Sequence, residues 1–329
     1  MKQLLFLALL FVFVGNANGQ SKDSIYSANL NSAEVKFITI RNGKYKVWTR
    51  KVGNGSIKIL LLHGGPGTSP EYFENFPSYL KDNYTIYFYS QLGSFLSDQP
   101  TDTTLADVQK FAEDVEEVRK GLGLDSFYLL GHSWGSFLGQ VYAAKYQKHL
   151  KGLILCNADI YSRGKNQEYQ GELIANIVES IPDYKKYADS IRYDFIDNIT
   201  NPDLMGKILE IAFPMFIRQH YCRLDSLPEP LLRSKIHSTG STNKVSEYLT
   251  YKMNQFDFEP YLKKISVPVL FIGSKYDFEP PWDYIKMKNA MNNKKVDIYI
   301  CPNGSHFDMW DDSNNFFEAI KAFIFKTEK

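Results

Sequence analysis

The sequence predicts an α/β fold in which a mostly parallel sheet carries helices on both faces. Short continuous apolar runs recur along the chain, and amphipathic helical patterns lie between them. Runs of this length without polar alternation are typical of strands buried on both faces, which occur in parallel sheets. Alternation of strands and helices is the pattern of a doubly wound sheet. The predicted strands are residues 57–62, 84–89, 126–130, 153–156, 267–272 and 296–301.

The first element is a predicted β-hairpin. Residues 35–52 alternate apolar and polar side chains around Asn42-Gly43, a dipeptide that favours a tight two-residue turn. The clearest helix is predicted over residues 103–123, where apolar side chains recur on one helical face and charged side chains fill the other. Gly121 and Gly123 mark its end.

The strand–helix rhythm stops between residues 161 and 255 and then resumes. This segment contains helical stretches and several prolines but no convincing buried strand. We therefore expect a helical cap at 161–255 inserted between two parts of one core, 20–160 and 256–329. A separate domain is less favoured, because the sheet needs the strands on both sides of the insertion.

Composition narrows the function classes. The chain has 329 residues, of which 44% are hydrophobic and 23% charged, so it has enough apolar side chains to form a core. The formal net charge is +1, which gives no basic excess for nucleic acid or an anionic membrane. Cys156, Cys222 and Cys301 have no metal-ligand spacing and are interpreted as structural.

The N-terminus has the pattern of a secretory signal peptide. Lys2 is followed by an apolar run over residues 4–14, and the small residues Ala17 and Gly19 precede Gln20. The run is too short to span a bilayer, and no cysteine near it offers a lipid anchor. We expect cleavage near Gly19-Gln20, with residues 1–19 removed and the product exported to the periplasm or secreted. A buried N-terminal helix is the alternative.

The sharpest motif is the G-x-S-x-G sequence at residues 131–135. It directly follows the predicted strand 126–130 and precedes a helical pattern over 136–146. This setting is that of the nucleophile elbow, which predicts Ser133 as a nucleophile and an α/β-hydrolase fold. The two glycines are expected because the turn is tight and a Cβ would clash with nearby backbone.

A serine hydroxyl needs a base and an acid that orients the base. His306 follows the predicted strand 296–301, and Asp277 follows 267–272, so the expected order of serine, acid and histidine is satisfied. Asp308 is the main rival acid, but side chains at i and i+2 tend to point apart. Asp257 precedes its strand and is expected at the opposite edge.

Oxyanion stabilisation needs preorganised backbone N–H donors. The N–H of Trp134, directly after the nucleophile, is one predicted donor. Gly65, in the glycine-rich loop at residues 63–67 that follows the strand 57–62, is the other. His63 in this loop is interpreted as structural. This chemistry requires no metal and no organic cofactor.

Taken together, HGGPG at 63–67, YSQLGSFLSDQP at 89–100 and GHSWGS at 131–136 resemble the prolyl aminopeptidase (proline iminopeptidase) family of α/β-hydrolases. GSKYD at 273–277 and NGSH at 303–306 match the family's acid and histidine positions. The resemblance spans residues 35–329. It implies a Ser-His-Asp enzyme that releases an N-terminal residue, often proline, from short peptides entering under a helical cap.

Two positions depart from the family pattern. Ser90 stands where the family usually has Asp, and Phe95 where it usually has a second glycine. An aminopeptidase must also bind a free ammonium group, which is costly to bury without a carboxylate. Some members place Glu directly after the catalytic Asp; here Phe278 takes that position and Glu279 follows. Glu279 is the predicted amine ligand, and other candidate acids in the cap are Glu172, Glu179, Glu229 and Glu247.

Three functions remain open from the sequence. The leading one is an aminopeptidase that acts on short peptides with N-terminal proline or a small apolar residue. The second is an esterase or amidase for small substrates without a free amine. The third is a non-catalytic protein that holds a ligand in the same pocket. The sequence indicates no oligomeric state.

Overall fold

A computed structural model describes residues 34–158, 160, 244–275, 277 and 281–329. The predicted signal peptide and most of the predicted cap lie outside the described residues, as do Cys222, Phe278 and Glu279. Among the described residues, no helix combines the length and apolar character needed to cross a bilayer.

The core is one eight-stranded, mostly parallel sheet, as the sequence predicts. Its spatial order is β1-β2-β4-β3-β5-β6-β7-β8. β1 and β2 form an antiparallel hairpin and β2 pairs antiparallel with β4, whereas every other neighbouring pair is parallel. The strands are β1 Val35–Ile40, β2 Tyr45–Val52, β3 Ile57–Leu62, β4 Tyr84–Tyr89, β5 Phe127–His132, β6 Leu150–Cys156, β7 Val269–Ser274 and β8 Val296–Cys301.

The described helices cover both faces of this sheet. They are α1 Phe76–Tyr79, α2 Val108–Leu122, α3 Trp134–Tyr146, α4 Lys244–Gln255, α5 Glu259–Leu262, α6 Tyr284–Ala290, α7 Asp308–Asp311 and α8 Ser313–Glu328. Short 3-10 turns occupy Pro70–Phe73, Thr103–Leu105, Gln147–His149 and Pro281–Asp283.

The predicted 103–123 helix is divided at its start. Thr103–Leu105 forms a separate 3-10 turn, and α2 begins at Val108 because Asp107 caps it by accepting hydrogen bonds from the N–H groups of Gln109 and Lys110. Gly123 ends the helix in the left-handed conformation with φ 66°.

The sheet separates two apolar clusters. One lies beneath α2, α3 and α6, and it also takes in Val245, Leu249 and Met253 of α4. The last helix of the predicted cap segment therefore packs into the core. The other cluster lies beneath α1 and α8. Cys156 and Cys301 are free and buried in this second cluster, in agreement with a structural role.

Burial on both faces was expected for every apolar run, and this expectation is wrong for β8. Asp297, Ile298 and Tyr299 are half-buried, and Ile300 is exposed. The reason is that β8 is the last strand of the sheet, so no neighbouring strand shields it on one side.

Candidate active site

The loops after five parallel strands meet at one edge of the sheet. Because the strands run in the same direction, their carboxyl ends lie together, which is where α/β sheets usually place functional groups. The residues that follow these ends are His63 after β3, Ser133 after β5, Asn157 after β6, Asp277 after β7 and His306 after β8.

Ser133 occupies a sharp turn between β5 and α3. Its backbone has φ 54° and ψ −124°, a conformation that side-chain-bearing residues rarely adopt. Such local strain is typical of functional sites. Ser133 stands at the N-cap of α3, yet its hydroxyl makes no capping hydrogen bond to the helix. The partial positive charge of the helix N-terminus therefore lies directly beside this hydroxyl.

Both glycines of the motif permit close backbone contacts. A Cβ on Gly131 would lie 2.2 Å from the oxygen of Gly135, and a Cβ on Gly135 would lie 2.0 Å from the oxygen of Leu62. No side chain fits at either distance. The expectation that a Cβ would clash in this turn is therefore confirmed.

His306 and Asp277 form a hydrogen-bonded pair. His306 Nδ1 lies 2.9 Å from Asp277 Oδ1, and both side chains are buried. Burial lowers the pKa of His306 below its ordinary value of 6.5, so the ring is neutral at pH 7. With Nδ1–H donating to Asp277, Nε2 carries the lone pair that could accept a proton.

Asp308, the rival acid, has a different environment. Ser274 Oγ donates to Asp308 Oδ2 at 2.9 Å, and Asp308 is fully buried. Burial raises the pKa of Asp308 well above its ordinary range, which favours a neutral carboxyl group. Asp257 lies between α4 and α5, before β7 begins, as expected.

The glycine-rich loop, residues 63–67, lies beside Ser133. A Cβ on Gly64 would be 3.0 Å from the Cβ of Ser133. Gly65 has φ +113°, and a Cβ there would lie 2.7 Å from the nitrogen of Gly67, so the conformation requires glycine. Trp134, the other predicted donor, begins α3 and is buried. We call residues 63–67 the oxyanion loop.

Buried hydrogen bonds tie the oxyanion loop to α3. The N–H of Gln91 donates to His63 Nε2 at 3.0 Å, and Gln91 Nε2 donates to His63 O at 2.9 Å. Trp134 Nε1 then donates to Gln91 Oε1 at 2.8 Å. Burial lowers the pKa of His63 to about 4. A neutral His63 holding two loops together agrees with its interpretation as structural.

The two departures from the family pattern flank this network. Ser90 is buried, and its Oγ has no hydrogen-bond partner within the described ranges. Ser97 Oγ donates to Ser90 O at 2.6 Å, so a side chain further along supports this turn. Phe95 is 41% exposed. The segment therefore still brings Gln91 to His63 although the usual Asp is absent.

Helix α4 contacts the oxyanion loop from outside. A Cβ on Gly67 would lie 2.8 Å from Ser246 Oγ, and that hydroxyl donates to Gly93 O at 3.4 Å. Glu247, the candidate amine ligand on this helix, is exposed. The candidates Glu172, Glu179 and Glu229 lie outside the described residues, as do Glu279 and Phe278. Within the described part of the chain, no cluster of three His, Cys, Asp or Glu side chains could hold a metal ion.

Three residues at this edge were not singled out by the sequence. They are the buried residues His132, Tyr72 and Asn157. Tyr72 Oη hydrogen-bonds to His132, and His132 and Asn157 both donate to the main-chain oxygen of His306. His132 is the variable position between Gly131 and Ser133 in the G-x-S-x-G motif, so the motif itself does not mark it. Tyr72 and Asn157 carried no local signal, because only the sheet order brings them here.

Comparison with known proteins shows the family of the chain. Residues 58–313 match the family model for the alpha/beta hydrolase fold. The proline iminopeptidase of Chitinophaga pinensis is 36% identical over 300 residues, which is 86% of this chain and 94% of that protein. That of Flavobacterium johnsoniae is 34% identical over 305 residues, covering 86% and 94%.

The chain belongs to the proline iminopeptidase family of α/β-hydrolases. It is thus an enzyme of the serine-peptidase type. Solved structures agree on the fold: a proline iminopeptidase of Mycobacterium smegmatis superposes with TM-score 0.71 at 21% identity, covering 89% of this chain and 98% of that one. An esterase of Thermogutta terrifontis superposes with TM-score 0.64 at 20% identity, covering 90% and 100%. The same fold therefore occurs in enzymes that act on different substrates.

Proposed function

We propose that this proline iminopeptidase-family enzyme releases N-terminal proline or a small apolar residue from short peptides. Ser133 attacks the carbonyl carbon of the first residue, and His306 accepts the serine proton and then donates it to the leaving amine. Asp277 orients His306 and stabilises its imidazolium form. Water then hydrolyses the acyl-enzyme, which frees the amino acid and regenerates Ser133.

The observation that carries the proposal is the 2.9 Å contact between His306 Nδ1 and Asp277 Oδ1 at the edge where Ser133 sits in a strained turn. The N–H groups of Gly65 and Trp134 are the proposed donors to the oxyanion. Support comes from the approach of Gly64 to Ser133 and from the position of Trp134 at the start of α3.

The nucleophile is tested by a fluorophosphonate probe, which reacts only with an activated serine. We expect stoichiometric labelling of the wild type and none of Ser133→Ala. Ser78→Ala, which removes an exposed serine on α1, is the matched control and should label normally. Labelling of Ser133→Ala would refute the assignment, and an unlabelled wild type would favour the non-catalytic binding protein.

Substrate class is tested with proline anilide and its N-acetylated form. A site that binds the free amine should cleave the unblocked compound better by about 10²-fold or more, since it rejects an analogue that leaves its polar groups unpaired. Glu279 is the proposed amine ligand, so Glu279→Gln should lower this preference. Equal cleavage of both compounds, together with ester hydrolysis, would instead establish the esterase or amidase.

Export is proposed from the N-terminal pattern alone. Expression of the whole chain in a bacterium, followed by mass spectrometry of the periplasmic and secreted fractions, tests it. We expect a chain that begins at Gln20. A chain retained in the cytoplasm with residues 1–19 intact would contradict the proposal.

A further inference from the structure

A continuous series of hydrogen bonds links four residues around Ser133. The N–H of Gly64 donates to Tyr72 Oη at 2.6 Å, and Tyr72 Oη lies 3.0 Å from His132 Nδ1. His132 Nε2 lies 2.6 Å from the main-chain oxygen of His306. All four residues are buried, with Tyr72 and His132 each 1% exposed. This series thus connects the oxyanion loop to the backbone of the proposed general base.

The chemistry of the groups fixes the direction of these bonds. A carbonyl oxygen only accepts, so His132 Nε2 carries a hydrogen and donates to His306 O. Burial lowers the pKa of His132 well below its ordinary value, and the nearby His306 acts in the same sense. His132 is therefore neutral, and its Nδ1 accepts from the hydroxyl of Tyr72. The Tyr72 oxygen in turn accepts from Gly64, so each donor meets one acceptor.

The two ends of this series of hydrogen bonds are the groups whose positions matter most for the proposed reaction. Gly64 precedes the proposed oxyanion donor Gly65 and approaches Ser133 most closely of the loop glycines. At the other end, the carbonyl of His306 also accepts from Asn157 Nδ2 at 3.0 Å. Two side chains therefore hold the main chain of His306. One is His132, the last residue of β5, and the other is Asn157, which directly follows the neighbouring strand β6.

We propose that His132 and Tyr72 are positioning residues that keep the oxyanion loop and His306 in register with Ser133. His132 directly precedes Ser133, so its ring moves with the nucleophile. The inference rests on the proposed roles of Ser133 and His306. Misplacement of reacting groups by about 1 Å can cost about 10²-fold in rate, so loss of either link should act on turnover.

The first variants remove hydrogen bonds while keeping apolar packing. Tyr72→Phe keeps the ring that packs against Phe73 and Phe307, with centroids 4.3 and 5.3 Å away. His132→Leu removes both of that residue's hydrogen bonds. We expect kcat to fall about tenfold or more in each variant, because the reacting groups are no longer held in position relative to one another. KM should change little.

Rescue variants separate the two links of His132. The Gln side chain places an amide N–H at the position of the His Nε2, so His132→Gln should keep the bond to His306 O and recover much of kcat. His132→Asn places an oxygen at the position of Nδ1 and should keep only the bond from Tyr72. Each variant should therefore turn over faster than His132→Leu, which keeps neither bond.

Tyr142→Phe is the matched control. Tyr142 lies on α3 and its buried hydroxyl donates to Glu116 Oε2 at 3.1 Å. Its loss should lower the melting temperature without changing kcat. Each variant is titrated with the fluorophosphonate probe, so that rates refer to folded sites, and the labelling rate itself is a second measure of Ser133 activation.

The inference is overturned if Tyr72→Phe and His132→Leu keep wild-type kcat and labelling rates per titrated site, even with lower melting temperatures. It is also overturned if neither His132→Gln nor His132→Asn turns over faster than His132→Leu. A wild type that does not label refutes the proposed nucleophile, and this inference with it. A wild type that labels but cleaves no amine-bearing substrate refutes only the substrate class, and labelling rates still decide the inference.

Discussion

Gly135 and Gly139 lie one turn apart on α3. Replacing each of them by alanine compares a position where backbone excludes a Cβ with one where there is room for it. A Cβ on Gly135 would lie 2.0 Å from the oxygen of Leu62 and 2.6 Å from its carbonyl carbon. A Cβ on Gly139 would meet only side-chain atoms, those of Leu155, Leu153 and Leu129 at 3.4, 3.6 and 3.9 Å. Alanine therefore clashes with backbone at the first position and makes ordinary contacts at the second.

The magnitudes follow from these distances. To bring the Gly135 Cβ to an ordinary contact of about 3.4 Å, the start of α3 and the end of β3 must separate by about 1.4 Å. Backbone shifts of this kind cost about 1–3 kcal/mol and occasionally more. Gly139→Ala should instead gain up to about 1 kcal/mol from helix propensity. We expect the free energies of unfolding of the two variants to differ by about 2–4 kcal/mol.

Urea denaturation measures this difference, and fluorophosphonate labelling measures its effect on Ser133. Gly135→Ala should also slow labelling by about 10²-fold, because a shift of about 1 Å moves Ser133 relative to the oxyanion loop. Gly139→Ala should label at the wild-type rate. The reasoning would be refuted if Gly135→Ala were as stable as the wild type, or if Gly139→Ala were the less stable of the two.

Asp277→Asn should lower kcat by about 10⁴-fold while the protein stays folded, because an amide facing Nδ1 favours the wrong tautomer of His306. Asp308→Asn should keep most of the activity, because burial raises the pKa of that carboxyl and favours its neutral form, which an amide resembles. Steady-state kinetics, with circular dichroism to check folding, would distinguish the two variants, and similar losses of activity would contradict the assignment of Asp277. Arg41→Ala should lower the free energy of unfolding by about 3–5 kcal/mol at pH 7, because it leaves the buried Asp114 without the guanidinium 2.7 Å away. Burial raises the pKa of Asp114 to about 6 although Arg41 lowers it, so removal of Arg41 should raise this pKa further. Asp114 then takes up its proton at a higher pH in the variant, so the variant's deficit should shrink as the pH falls towards about 6 and level off below it. A deficit that grew on acidification would contradict this.

The strands were predictable because their signal is local. A continuous apolar run needs no knowledge of its neighbours, and the runs at 57–62, 84–89 and 296–301 match β3, β4 and β8. The exposure of β8 was not predictable, because it depends on strand order, which composition does not encode. For the same reason, the sequence did not show which side chains of α4 pack into the core, although it favoured an insertion over a separate domain.

The residues of the candidate site differ in the same way, since some have a local signal in the sequence and others do not. Ser133, Asp277 and His306 could be singled out because a chemical requirement joins residues that each follow a predicted strand. Tyr72 and His132 serve no step that chemistry demands, and they are 60 residues apart. Only the parallel pairing of β3 with β5 brings their loops together. Residues that would support the site are therefore harder to predict than the proposed reacting groups.

Three buried histidines lie at this edge, and burial lowers the pKa of each. A general base must gain a proton. The hydrogen-bond partners of each histidine therefore decide whether it can act as the base. Protonation of His63 would break the bond its Nε2 accepts from Gln91, and protonation of His132 would break the bond its Nδ1 accepts from Tyr72. His306 instead faces a carboxylate through Nδ1, which stabilises the imidazolium. Among these three described histidines, and without the sequence motif, the pattern of partners favours His306 as the proposed base.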